Sequence, residues 1–176
     1  MKTTCATLAA TFVLSAACAV AQAAGPTDPQ IAAIVVTANQ VDIDTGKLAG
    51  SKSTSKQVKD FAQLMVTDHS GVNQSATALV TRLRVTPESN PTSQSLQQGG
   101  DQNLATLKTL TGKAFDKAYI DHEVAYHQAV LDAVDQTLIP SAHNEELKAL
   151  LVKVRPAFVA HLAHAKQLQA SLSKSS

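Results

Sequence analysis

The chain has 176 residues, 44% of them hydrophobic and 16% charged, a composition that fits one helical domain. Aromatic residues make up 3% and tryptophan is absent, which leaves no stacking platform for single-stranded nucleic acid. The formal net charge is +1, and removing Lys2 with the leader leaves basic and acidic residues equal in number, so no basic field attracts nucleic acid or anionic lipid.

Residues 1–23 read as a cleaved signal peptide. Lys2 supplies a positive start, an apolar stretch runs from Cys5 to Val20, and Ala21-Gln22-Ala23 fits the small-x-small rule, placing cleavage after Ala23. The stretch is short and alanine-rich for a membrane span. A periplasmic or secreted location follows, with no transmembrane span left after cleavage. Both cysteines, Cys5 and Cys18, fall inside the leader, so the mature chain has no disulfide. Leu14 lies one place too far from Cys18 for the usual lipobox. Residues 24–28 form a linker, 29–170 the folded domain, and 171–176 a flexible tail.

The first helix is expected from Asp28 as N-cap and Pro29 at the first helical position to about Ser51, with Ile31, Ile34, Val35, Ala38, Val41 and Leu48 inward. A second starts at the hydroxyls of Ser53 to Ser55. Its stripe is Val58, Phe61, Met65, Val72, Ala76, Leu79 and Leu83, and Pro87 ends it. Thr86 to Asp101 is polar, with two prolines and Gly99-Gly100, and reads as a long connection before a short helix through Leu104, Leu107 and Leu110. The third long helix spans Ala114 to Leu138. The fourth opens at Ser141 to Asn144, with Glu145 and Glu146 complementing its dipole, and Pro156 should kink or split it. Short links join helices one to two and three to four, and a long crossover joins two to three. The fold class is therefore all-α, a ferritin-like four-helix bundle.

Three histidines sit midway along inward stripes of three helices. His69 lies between Met65 and Val72, His127 between Val124 and Val130, and His161 between Phe158 and Ala165. Their convergence would build a metal site, with Glu123 one turn before His127 and Asp42 on the first helix assisting. Asp68 is turned aside, exposed or behind the ligands. A di-iron centre wants Glu-x-x-His, which is absent, so copper or zinc fits better than iron. Met65 offers a thioether for Cu(I), although methionine more often fills a core gap. His164 is a further ligand or a rim residue, and His122 and His143 receive no role. Tyr119 and Tyr126 read as packing residues with a polar tip in water or on a neighbouring helix. No nucleophile–base pair or phosphate loop occurs, so no catalytic residue is assigned. The competing reading is a non-catalytic envelope-stress or interaction protein whose histidines only pack.

Two strings carry a resemblance: Asn39 through Ala49, and Val58 through Ser70 with its Asp68-His69 pair. Phe115 through Ile120 followed by His127, and Arg155-Pro156 followed by His161-Leu162, extend it. In this order they resemble the bacterial DUF4142 family over about residues 29–170. The resemblance implies an exported protein with a ferritin-like helical fold, an outer-membrane label and no established activity. It also implies histidines at His69, His127 and His161. Asp42 stands where that family usually has Glu, a shorter arm for any ligation. The outer-membrane label has no β-barrel alternation behind it. The expected role is storage, buffering or stress protection through a metal ion in the bundle interior.

Overall fold

Thr27, rather than Asp28, caps the first helix. In this computed structural model, which describes residues 25–174, Thr27 and Gln30 form a reciprocal capping box and α1 runs Asp28–Lys52. The Asp28 carboxylate is used elsewhere. It accepts the backbone amides of His143 and Asn144, each at 2.9 Å, tying the start of α1 to the entrance of the last helix. The signal segment and its cleavage site lie outside the described residues.

Ser55 caps α2 (Lys56–Leu83), which closes on Arg84 in the left-handed region at φ 56°, three residues before Pro87. The polar stretch that followed was expected as an open connection. Instead it is mostly α3 (Pro91–Thr109). Asn90 and Ser93 build a second capping box and Pro91 pre-sets the first turn, so helix formation begins despite the glycines downstream. Gly100 is buried against α1, where an added Cβ would lie 2.6 Å from Val41 Cγ2. Here glycine allows close approach rather than a break.

Helix α4 (Gly112–Ala133) passes into a π-helical turn, Val134–Leu138, and a last turn, Ile139–Ser141, that contains Pro140. Helix α5 (Glu145–Lys174) is continuous through Pro156 and reaches past the expected boundary at residue 170. The amide that Pro156 lacks would have bonded the carbonyl of Val152. Both residues are on the exposed face, where water can serve that carbonyl.

Helices are the only regular secondary structure among the described residues. α1 packs on α2, α4 on α5, α2 on α5, and α3 lies along α1. No described helix is long and apolar enough to cross a membrane. The core divides into two apolar clusters. One holds Ile31, Ile34, Val72, Leu79, Leu131, Leu151 and Phe158, and the other Ala49, Phe61, Met65, Phe115, Tyr119 and Ala165. Each large aliphatic or aromatic side chain so buried contributes about 1.5–3 kcal/mol. The clusters meet at a level that α1, α2, α4 and α5 all cross, and there the buried residues turn polar: Asn39 and Asp42, His69, Glu123 and His127, and His161.

Candidate metal centre

All five expected site residues converge on this polar layer. Asp42, His69, Glu123, His127 and His161 are each at most 3% exposed. The imidazole centroids form a nearly equilateral triangle: 5.5 Å from His69 to His127, 5.2 Å from His69 to His161 and 5.4 Å from His127 to His161. One ring nitrogen from each lies within 4.8 Å of the others, and the same holds for Asp42, Glu123 and His127 as a second group. His127 belongs to both.

Hydrogen bonds fix which nitrogen each ring offers. Asn39 donates its amide to the Val35 carbonyl at 2.7 Å, so its Oδ1 accepts, 2.7 Å from His69 Nδ1. That nitrogen carries the proton, and His69 Nε2 keeps a lone pair. His127 Nδ1 donates to the Glu123 backbone carbonyl at 3.1 Å, which frees its Nε2. His161 Nε2 donates to the Asp68 carboxylate at 2.9 Å, which frees its Nδ1. The three free nitrogens are buried and have no hydrogen-bond partner among the described residues.

The carboxyls share that condition. Asp42 Oδ2 lies 3.1 Å from His69 Nε2 and 3.4 Å from His127 Nε2, and Glu123 Oε2 lies 3.4 Å from His127 Nδ1. Among the described residues the two carboxyls have each other as hydrogen-bond partner, and no other donor reaches their oxygens. Burial pushes Asp42 up to about 8 and Glu123 well above the carboxylate range, the latter also through the neighbouring Asp42 charge. Burial also lowers His69 to about 2 and His127 to about 4, and His161 moves down for the same reason. The site therefore holds neutral imidazoles and carboxyls that resist ionisation unless a cation joins them. Two carboxyl protons are too few for three free imidazole nitrogens and four carboxyl oxygens, a shortage that is costly when buried and that a metal ion would relieve for the whole group.

Asp68, expected exposed or behind the ligands, meets both descriptions. Its side chain is 38% exposed and it orients His161 from the second layer. Asn39 was missed, although it falls three residues before Asp42 and four after Val35 on one helix face. The other candidates stay apart from the centre. Met65 packs in the apolar cluster of Phe61 and Tyr119. His164 meets the edge of Phe61 at 5.1 Å, and His122 stacks on Tyr126. Tyr126 donates to the Ala38 carbonyl at 2.8 Å, as a polar tip on a neighbouring helix should. Tyr119 departs from its expected role: it is fully buried, and its hydroxyl has no hydrogen-bond partner among the described residues. Phe158 lies parallel to the His69 ring at 5.3 Å and walls the site with apolar surface.

A family model described as a domain of unknown function, DUF4142, matches residues 14–168. No curated protein and no solved structure matches the chain.

Proposed function

The chain belongs to the DUF4142 family, and from that premise we propose that it is an exported protein that binds one divalent transition ion in the interior of a ferritin-like helical bundle. In this reading α3 carries the crossover between the two helix pairs. His69 Nε2, His127 Nε2 and His161 Nδ1 supply the imidazole donors, and Asp42 and Glu123 supply the charge. Two carboxylates against a divalent ion give a neutral buried centre, which avoids the penalty of an uncompensated charge. Neutral imidazole with carboxylate suits zinc or copper(II), and the packing of Met65 elsewhere removes the thioether argument for Cu(I). The role is storage, buffering or stress protection in the periplasm or outside the cell.

The observation that carries this reading is the set of three buried lone pairs, each fixed by an acceptor on the far side of its ring. Metal-binding histidines are oriented in this way by carbonyl and carboxylate partners. Tag-free protein equilibrated with zinc or copper at neutral pH, then dialysed, should retain one ion per chain by elemental analysis. His127→Ala should retain none. A wild-type protein without stoichiometric metal would leave histidines that only pack.

A further inference from the structure

A cavity of about 270 Å³ opens against the same polar layer. Its walls are aliphatic and aromatic: Val35 and Leu96 on one side, Val130, Val134 and Leu138 on another, and Phe158 beyond. Polar groups gather at one end, where Asn39, Asp42, His69 and His127 line it. Thr92, Ala129 and Thr137 also line it and are exposed, which marks its rim. Three of its lining residues come from the π-helical turn, a wide turn that proteins commonly keep beside binding sites.

We propose that this cavity binds a small organic molecule with an apolar body and one neutral oxygen or nitrogen donor, its donor directed at the Asp42–His69–His127 end. The volume argues for the body. An aliphatic cavity of about 150 Å³ in another protein takes up benzene, and this one is nearly twice as large. It is too small for a helix or a folded segment, whose diameter with side chains is about 10–12 Å. The polar end argues for the head: Asp42, His69 and His127 line the cavity there, and an ion held by them would attract a neutral oxygen or nitrogen donor but not a wholly apolar guest. The charge argues for a neutral head: an ion balanced by two carboxylates would be left with a buried negative charge by an anionic one. This part of the assignment rests on the metal reading, while the fit of the body does not.

The experiment titrates metal-free and zinc-loaded full-length protein with 2-naphthol and with naphthalene, reading the fluorescence of the probe, which no tryptophan obscures. Elemental analysis of the same samples reports the zinc. The expected result is saturable binding of one naphthol per chain, at least tenfold tighter than naphthalene when zinc is present. Ala133→Phe, which fills the cavity without touching a ligand, should weaken naphthol at least tenfold and leave zinc stoichiometry unchanged. Ala129→Phe, at the exposed rim, tests the same point if Ala133→Phe fails to fold. No saturable binding in zinc-loaded protein, or binding unaffected by both variants, overturns the cavity assignment and leaves the metal reading intact. Equal affinities for naphthol and naphthalene in zinc-loaded protein overturn the head-group assignment. Saturable, variant-sensitive naphthol binding without zinc retention would retain the cavity and remove the metal reading.

Discussion

Asn39 shows how much of a site depends on a residue that never touches the ligand. Its amide is spent on the Val35 carbonyl, so only its oxygen can face His69, and that oxygen decides the tautomer of the ring. Asn39→Leu should keep the shape of the side chain, free the Nδ1 proton to migrate, and lower zinc affinity about 10–100-fold, the usual cost of losing such a partner. Competition with a chromogenic chelator measures it, and an unchanged affinity would show that the tautomer is set elsewhere. Asp68→Ala should act through His161 in the same assay, with a smaller effect because that carboxylate is partly solvated. The three histidines were legible because each interrupts an apolar stripe at helical spacing. Of their partners, Asp68 was expected exposed or behind the ligands without its ring being named, and Asn39 was not legible. For His69 and His161 the acceptor depends on the rotation of α1 against α2 and of α2 against α5, about which a local period carries no information.

Among the elements, α3 departs furthest from expectation. Two adjacent glycines in a polar stretch weigh against a helix, each by about 1 kcal/mol relative to alanine. The capping box at Asn90 and Ser93 and the contact of Gly100 with Val41 outweigh that cost. The glycines should therefore respond in opposite directions. Gly99 faces open space, so Gly99→Ala should stabilise by about 0.5–1 kcal/mol through helix propensity alone. Gly100→Ala should destabilise by about 1–3 kcal/mol, since its Cβ would push α3 away from α1. Urea denaturation of the two variants checks both signs, and equal effects would contradict the packing of α3 on α1. The π turn at Val134–Leu138 has no such signature. Pro140, just beyond it, lacks an amide and crowds the Gln136 carbonyl, which disfavours a regular turn there without specifying the wider one.

At the scale of the molecule, the polar layer makes stability depend on pH and on metal together. The histidines, lowered by burial, refuse protons that the unfolded chain accepts below about pH 6.5, so stability falls as pH drops through that range. The carboxyls act in the opposite sense. Asp42, raised to about 8, keeps a proton that the unfolded chain has already released, so stability is lost as pH rises towards 8. Metal-free protein should therefore melt highest near pH 6 to 7 and lower at pH 8, and Asp42→Asn should flatten the alkaline arm. A melting temperature that climbs steadily from pH 6.5 to 8.5 in metal-free protein would contradict this. Metal reverses the alkaline trend, because it replaces those protons. At free zinc a hundredfold above Kd the gain is about 2.7 kcal/mol, and it should grow from pH 6 to pH 8.

The central claim is tested most directly by X-ray absorption at the zinc edge of zinc-loaded, tag-free protein. The account predicts a first shell that includes three nitrogens at about 2.0–2.1 Å with imidazole outer-shell scattering, reduced to two in His161→Ala. A first shell of oxygens without imidazole scattering, or a spectrum unchanged by that substitution, would contradict it.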